Sequence, residues 1–273
     1  MTGSGAVAPE SIVFRPLSSQ ADYEACIELQ RLTWGRDFSD AVPLSIQKII
    51  PKVGGVVAGA FAPDGRMLAF VLGLTGWRDG RPIHWSHMLA VDPEARDLGL
   101  GTRLKLYQRE LLLPVGVEEV EWTFDPLEAR NAHLNFNHLG AGVASYVRDM
   151  YEGELWSDLA RGIGTDRLIV SWRIAGERVE RALGGEPPDA SRFHGAPVAN
   201  PAPGEEPPAP GVPRVRIEVP ANIQAVKEAH PEEGRTWRMS TRRAFEFYLG
   251  RDYRVEAFFR DPETGRCFYG LEH

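Results

Sequence analysis

The sequence predicts a mixed α/β (α+β) fold, in which a central sheet flanked by helices is followed by a small C-terminal α+β unit. Stretches with strand and helix periodicity alternate from residue 11 to about 175, the order expected of a sheet covered by helices. Residues 184–213 are rich in proline, glycine and alanine and have almost no large apolar side chain, which is typical of an extended linker. The predicted domains are therefore 1–183 and 214–273, joined by this linker.

Cap and turn signals define the first elements of the larger domain. Alternation over residues 12–15 indicates a strand, and Ser18 or Ser19 can cap a helix that runs to about Leu32. Pro43 suits the first turn of a second, short helix. In the stretch VVAGAFAPDGRMLAFVLGL, a Pro-Asp-Gly turn joins two strands into a hairpin.

The remaining elements of this domain surround a glycine-containing loop. A strand is predicted to end at Val91, and a helix to run from about Gly99 to Leu112. Further along, a strand is predicted over 117–123, a helix near 131–139, and strands near 143–150 and 168–174.

The C-terminal segment has its own strand and helix signals. RVRIEV is strand-like, TWRMSTRRAFEFYLG is a helix ending in glycine, and YRVEAFF with CFYGL forms a hairpin. The order strand, helix, helix, hairpin repeats that of the first seventy or so residues and suggests an internal duplication. Its aromatic side chains imply apolar surface to bury, so we expect the unit to dock on the first domain or on a second copy in a homodimer.

Charge and composition narrow the class of partner. The chain has 273 residues and a formal net charge of −7, whereas nonspecific nucleic-acid binding depends on a basic surface. A small-molecule substrate fits better. No window approaches the roughly 18 consecutive apolar residues of a membrane helix, and the first residues, MTGSGAVAPE, lack the pattern of a signal peptide. We therefore expect a cytoplasmic protein without a membrane partner.

The two cysteines do not indicate a disulfide framework or a metal site. Cys26 and Cys267 are far apart in sequence, in apolar surroundings and without a CxxC pattern. Buried free thiols are the expected state, and no bound metal is predicted.

The stretch HMLAVDPEARDLGLGTRLK, residues 87–105, has the pattern of an anion-binding loop that opens a helix. A Walker loop is excluded, because Lys105 stands at the wrong spacing and no Ser or Thr follows it. A dinucleotide fingerprint fits poorly, because Leu104 occupies the third glycine position and residues 92–98 separate the strand from Gly99. The remaining pattern is Arg96-x-x-Gly99-x-Gly101.

This pattern resembles the acyl-CoA pyrophosphate loop of the GNAT superfamily of N-acetyltransferases. The resemblance covers roughly residues 11 to 175, element order included, and implies a GNAT-like sheet that binds acetyl-CoA or coenzyme A as cosubstrate. Glycines would stand where a side chain would block close approach of the backbone to phosphate. The residues implied to contact CoA are Leu89, Ala90 and Val91 on the strand; Arg96, Asp97, Leu98, Gly99, Leu100, Gly101 and Thr102 in the loop; and Asn131.

A second motif departs from the superfamily. Asn131 begins NAHLNFNHLGA, but four residues before Gly140 the chain has Phe136 where the superfamily often has the tyrosine that protonates departing CoA. Either another group serves, the thiolate leaves unassisted, or catalysis has been lost. Tyr146 and Tyr151 follow closely, although sheet packing is their more ordinary role. The motif and the C-terminal extension resemble a bacterial subgroup of predicted acetyltransferases.

Two histidines, of which only one can face the substrate, and two carboxylates are considered for the base that deprotonates an amine. His84 and His87 have odd spacing, so they point to opposite faces of a strand. The order His-x-Leu-Ala-Val resembles arylalkylamine N-acetyltransferases, which assigns the role to His87. Glu121 and Asp125 are carboxylate alternatives; the ordinary reading of both is a solvated surface group.

Together these patterns predict an acyl-CoA-dependent N-acyltransferase that acts on a small-molecule amine by direct attack, without a covalent enzyme intermediate. Amides near Leu89 to Val91 would hold the pantetheine arm and could stabilise the oxyanion. Two other classes stay open: a catalytically inert CoA-sensing module, and a nicotinamide-dependent oxidoreductase.

Overall fold

The computed structural model describes residues 8–151, 159, 161–201, 207–208 and 211–273. The first seven residues, part of the stretch without a signal-peptide pattern, lie outside the described residues, as do residues 202–206 and 209–210 of the predicted linker. The chain divides into two compact units, Met1–Glu121 and Trp122–His273.

The described part of the first unit is built from a run of strands with three α-helices. Its strands are β1 (Val13–Pro16), β2 (Val56–Phe61), β3 (Met67–Arg78), β4 (Arg81–Val91) and the first residues of β5 (Glu119–Phe124). Its helices are α1 (Gln20–Trp34), α2 (Leu44–Ile49) and α3 (Leu100–Leu112). Strands β1 to β4 pair antiparallel in chain order, and β4 pairs with β5 in parallel.

Local signals account for the start of α1. The Ser19 side chain accepts a hydrogen bond from the amide of Asp22, and the Asp22 carboxylate accepts one from the amide of Ser19, which is a capping box. Asp22 is also paired with Arg15 at 2.7 Å. These bonds hold the pKa of the Asp22 carboxyl well below its ordinary value, and the hydrogen bond from Arg15 has the largest effect. Of the two serines predicted as possible caps, Ser18 and Ser19, the structure uses Ser19.

In its described residues, the second unit contains four α-helices and the remaining strands. The helices are α4 (Ala129–His133), continued by a π-helical turn over Leu134–His138, α5 (Glu177–Leu183), α6 (Ile223–Ala229) and α7 (Pro231–Leu249). The strands are β6 (Gly142–Val147), β7 (Arg167–Arg173), β8 (Arg214–Val219), β9 (Arg254–Arg260) and β10 (Cys267–Glu272). Helix α5 has no counterpart among the sequence predictions.

The strands form a mixed seven-stranded sheet in the order β1-β2-β3-β4-β5-β7-β6 and a three-stranded sheet in the order β8-β10-β9. This confirms the predicted mixed central sheet flanked by helices and the additional C-terminal α+β unit. The internal duplication is not supported by the strand pairing. Strand β1 pairs with the first strand of its hairpin, β2, whereas β8 pairs with the second strand of its hairpin, β10. The same order of elements is thus connected differently.

Within the second unit, the C-terminal elements bury their aromatic side chains against residues near β5 and β6. The Phe245 ring of α7 stacks on Tyr146 of β6 at 5.5 Å. Tyr269 of β10 contacts Phe136 and donates a hydrogen bond to the Pro126 carbonyl at 2.7 Å. The sequence predicted that this aromatic surface would contact either the first domain or a second copy of the chain. In the structure it contacts residues of the same chain.

Part of the predicted linker packs against the second sheet. Phe193 is fully buried, and a β carbon on Gly270 would lie 2.5 Å from its ring, so strand β10 carries a glycine where Phe193 approaches. Val198 forms a β-bridge with Arg216. Phe193 was overlooked because the composition of residues 184–213 is otherwise that of a spacer. The domain division at 184 and 213 stays a prediction.

Replacing Phe245 by alanine is expected to lower the free energy of unfolding by roughly 3–5 kcal/mol, because the ring is fully buried and its removal leaves a cavity. Phe247→Ala on the same helix is the matched control, since the Phe247 side chain is only half-buried. Urea unfolding of both variants measures the difference. Equal losses would show that the α7 face carrying Phe245 is not the face that stabilises the unit.

Across the described ranges, no helix has both the length and the apolar character needed to cross a bilayer.

Candidate active site

The loop between β4 and α3 has the backbone of an anion-binding turn. Asp92 accepts a hydrogen bond from the amide of Glu94 and closes a short 3-10 turn over Pro93–Ala95. Asp97 and Gly99 then adopt left-handed conformations, with φ of 72° and 66°. Left-handed residues in such a loop are found in the concave amide nests that bind anions. Asp97 tolerates this conformation better than most non-glycine residues.

Helix α3 begins directly after this loop and has no side-chain cap at its amide end. Its N-cap residue, Gly99, contributes no side-chain cap, and the first turn contains no acidic residue. The first intrahelical bond runs from the amide of Arg103 to the Gly99 carbonyl at 3.1 Å. The preceding amides, from Leu100 to Thr102, belong to the group that a helix leaves without intrahelical partners, at the positive end of its dipole. This is the geometry that binds phosphate groups.

Strand β4, which leads into the loop, leaves part of its length beyond its parallel pairing. The registered β4–β5 pairs among the described residues join Ile83–Trp85 to Glu119–Glu121. Strand β4 continues from Ser86 to Val91. The predicted pantetheine-binding residues Leu89 to Val91 lie on this continuation. Loop 92–99, the first turn of α3 and this strand end are consecutive in the first unit.

His87 is the extra residue of a β-bulge in strand β4. Leu72 of β3 pairs with Met88, whereas the next residue, Gly73, pairs with Ser86, so His87 has no counterpart. Bulges occur frequently beside active sites, where they redirect a side chain. His87 is exposed, whereas His84 is fully buried against α3, which agrees with the predicted opposite faces.

The surroundings of His87 favour its neutral form. Although the side chain reaches the surface, the protein around the ring desolvates it and lowers its pKa below the ordinary value. The negative charge of Asp40, in the connection between α1 and α2, opposes this shift and is the smaller effect. A neutral imidazole at neutral pH has a lone pair with which to accept a proton.

Glu121 is bound by an arginine through both of its oxygens. The Arg78 guanidinium donates to the two carboxylate oxygens at 2.7 and 2.8 Å. Glu121 is 5% exposed, so its alternative reading as a solvated surface group is wrong. A base would have to release part of this bidentate pair before taking a proton, which makes Glu121 a weaker candidate than His87.

Asp125 and Asn131 lie in the second unit, just after β5. Asp125 accepts a hydrogen bond from Arg238 of α7 at 2.5 Å and from the amide of Leu127 at 2.9 Å. Its side chain is 11% exposed and Arg238 is almost fully buried, so Asp125 is not a solvated group either. Asn131 is an exposed residue of α4.

The position of the missing tyrosine is closed to solvent. Phe136 is fully buried and packs edge-on against Phe124 and Tyr269. Tyr146 donates its hydroxyl hydrogen bond to Asp166, and burial together with this bond raises the pKa of its phenol well above the ordinary value. The Tyr151 hydroxyl lies 3.0 Å from Thr123 Oγ1 on β5, with the Arg167 guanidinium over its ring.

Sequence reasoning missed two polar residues of α3 that contact β4. Lys105 and Gln108 are buried, with their side chains bonded to Ser86 and His84. The buried residues of α3 include Leu100, Leu104, Gln108 and Leu112, a stripe at a spacing of four. A helical wheel would have shown Gln108 in the middle of this apolar stripe.

Where side chains are described, no group of three or more His, Cys, Asp or Glu residues is arranged to hold a metal ion.

The sequence matches no protein-family model and no curated protein. Solved structures similar to the chain include acetyltransferases. The ribosomal-protein-S18-alanine N-acetyltransferase from Escherichia coli is 22% identical, with 61% of this chain and 97% of that chain covered and a TM-score of 0.44. A GNAT-family acetyltransferase from Streptococcus pneumoniae is 15% identical, with 59% and 98% covered and a TM-score of 0.47.

A chain of the NatC complex bound to Gag peptide and CoA is 13% identical, with 60% of this chain and 98% of that chain covered and a TM-score of 0.48. Each of these is a protein to which this chain is similar over about three fifths of its length.

Proposed function

We propose that this protein is an acyl-CoA-dependent N-acyltransferase that transfers an acyl group, acetyl in the first instance, to the amine of a small molecule such as an amino acid or an arylalkylamine. The observation that carries the proposal is the continuous segment from Ser86 to Thr102. It joins the end of β4, which pairs with β3 but has no registered pair with β5 among the described residues, to a loop with left-handed residues and to the first turn of α3, which has no side-chain cap.

Each part of this segment suits one part of acyl-CoA. The amides of the loop and of the first turn of α3 would bind the pyrophosphate, which they can approach closely at Gly99 and Gly101. The amide arm of pantetheine would pair with the end of β4 in the manner of an added strand. The thioester would then lie near the bulge at His87.

An ammonium substrate loses two protons from its nitrogen in this reaction, and the thioester carbonyl must be polarised. His87, directly or through one water, would take the first proton, which frees the lone pair with which the substrate nitrogen attacks the thioester carbon. The second proton would leave the substrate nitrogen to water as the tetrahedral adduct breaks down to the amide. Backbone amides of β4 near the bulge would donate to the oxyanion that forms. The carbon–sulfur bond then breaks, and CoA leaves as a thiolate that takes its proton from water, since the position of the usual phenol is held by buried Phe136.

A CoA-sensing module without turnover is the second candidate function. The buried phenylalanine at the position of the usual phenol favours it. Phe136 lacks a hydroxyl and is sealed by Phe124 and Tyr269, so this position can supply no acid. Such a protein would bind CoA through the same loop and leave the thioester intact.

Calorimetry followed by a thiol-release assay tests the proposal. We expect CoA and acetyl-CoA to bind and NAD⁺ not to bind, and free thiol to appear when acetyl-CoA is mixed with members of a broad amine panel. A control without amine measures hydrolysis of the thioester. Binding without release over the whole panel would favour the sensing module, and binding of NAD⁺ in place of CoA would overturn the acyltransferase assignment.

A further inference from the structure

Beneath the bulge of β4, five buried or half-buried side chains are hydrogen-bonded in series. Lys105 Nζ donates to Ser86 Oγ at 2.7 Å, and Ser86 Oγ donates to Gln108 Oε1 at 3.0 Å. Gln108 Nε2 and His84 Nε2 are 3.0 Å apart, and His84 Nδ1 and Thr75 Oγ1 are 2.9 Å apart. We call these residues, Thr75, His84, Ser86, Lys105 and Gln108, the buried polar chain.

The last bond of the buried polar chain fixes its direction. Thr75 donates its hydroxyl proton to the Gly54 carbonyl at 2.6 Å, so His84 Nδ1 must be the donor to Thr75. His84 Nε2 is then an acceptor, and it receives the Gln108 amide. The opposite tautomer of His84 would take the Thr75 proton away from Gly54. Burial, aided by the charge of Lys105, lowers the pKa of His84 to about 3, in agreement with a neutral ring that accepts at Nε2.

The buried polar chain holds the two strands at the point where the bulge occurs. Ser86 immediately precedes the bulged residue, and its partner Gly73 lies under the His84 ring. A β carbon on Gly73 would lie 2.3 Å from His84 Nε2 and 2.6 Å from the Trp85 carbonyl oxygen. No other residue fits there without displacing the ring or the strand. The imidazole and β3 are therefore in close contact at the bulge.

Helix α3 links the buried polar chain to the loop. Its first residue, Leu100, follows the loop, and Gln108 lies eight residues further along. At about 1.5 Å per residue, the two are separated by roughly 12 Å of helix. A helix is stiff over two turns, so a ligand held at the first turn of α3 lies at a fixed distance from whatever Gln108 holds.

We propose that Gln108, acting through Ser86 and His84, positions the bulge of β4 relative to the loop at the start of α3, and so aligns the strand amides with the thioester carbonyl of bound acyl-CoA. This inference rests on the proposed function. It assigns Gln108 a positioning role in the transfer step rather than in binding of the nucleotide part of CoA.

Gln108→Met tests the inference, because methionine is similar in volume and cannot bond Ser86 and His84. With saturating acetyl-CoA and amine, we expect kcat to fall by roughly 10- to 100-fold, while the KM for acetyl-CoA and the calorimetric Kd for CoA change by less than about threefold. Ser86→Ala breaks the same series from the strand side. The double variant should be no slower than the slower single variant, since both act through one unit.

Leu104→Ala is the matched control, because Leu104 is fully buried on the same face of α3 and bonds no polar group of the chain. It should lower Tm at least as much as Gln108→Met and keep kcat within about threefold of wild type. If Gln108→Met keeps its kcat while its Tm falls, the buried polar chain is structural and the inference is overturned, whereas the proposed function stands.

If the wild-type protein binds CoA but shows no turnover, an NMR measurement tests the inference in place of kcat. Exchange of CoA for acetyl-CoA should shift the backbone amide resonances of His87 and Met88 in wild type and in Leu104→Ala, and not in Gln108→Met. Identical shifts in all three proteins would overturn the inference. Failure of wild type to bind CoA at all would instead overturn the proposed function, and the positioning role with it.

Discussion

Replacing Gly101 by valine is expected to abolish CoA binding while leaving the protein folded. A valine at the second position of α3 would fill the space through which a phosphate oxygen reaches the first amides of the helix. Loss of two amide-to-phosphate hydrogen bonds, each worth roughly 1.5–3 kcal/mol, corresponds to a weakening of affinity of roughly 10²- to 10⁴-fold. Calorimetric titration with CoA measures it.

The backbone conformation of Gly99 and Gly101 decides which valine variant tests CoA binding with less effect on folding. Gly101 is inside α3, where valine is a better helix former than glycine by a few tenths of a kcal/mol, roughly, so folding should not suffer. Gly99 has a φ of 66°, and a valine there would add backbone strain of about 1–2 kcal/mol. Gly76→Val is the matched control, because a β carbon at Gly76 has no neighbour within 4 Å. Unchanged CoA affinity in folded Gly101→Val would remove the basis of the acyl-CoA assignment.

His87→Ala is expected to lower the acyl-transfer rate by roughly 10²- to 10⁴-fold at neutral pH, with little change in the Kd for CoA. The wild-type enzyme and the variant should differ in how their rates depend on pH. The lowered pKa of His87 keeps the wild-type base unprotonated at pH 7, so the wild-type rate should fall only at more acidic pH. In the variant, the rate should rise with pH as more of the amine is already deprotonated, and most of the loss should be recovered.

The control for His87 has to be chosen from the structure. His84→Ala would break the bonds to Thr75 and Gln108, so it is unsuitable as a control. His230 is exposed and makes no side-chain cap bond. His230→Ala should therefore behave as wild type. Near-normal turnover in His87→Ala, together with a large loss in Glu121→Gln or Asp125→Asn, would transfer the role of base to a carboxylate.

Local signals predicted most of the elements correctly. Ser19 caps α1, and the Pro-Asp-Gly turn closes the β2–β3 hairpin with Gly65 at a φ of 88°. The helix expected from about Gly99 to Leu112 is α3, which runs from Leu100 to Leu112, and the structure makes Gly99 its N-cap. Caps and turns act through bonds between residues a few positions apart, so a single sequence contains what is needed to find them.

Pairing between distant segments could not be predicted in the same way. The composition of residues 184–213 did not indicate that Phe193 would be buried, and the repeated order of elements did not indicate that β10 would lie between β8 and β9. Burial of Glu121 and Asp125 depends on Arg78 and Arg238, which are 43 and 113 residues away in sequence. Such contacts depend on which surfaces meet, and periodicity does not specify that.

The sequence by itself predicted the mixed sheet and the position of the loop before α3, and it singled out His84 and His87 on β4. Only the tertiary structure decided what surrounds each of these groups. The spacing of α3 places Gln108 on a buried face but does not name its partners, because a helix stripe specifies burial and not the atoms across the interface. His84 and His87 differ in the same way: one is enclosed by Gln108 and Thr75, and the other is exposed at a bulge that exists because two strands pair out of step.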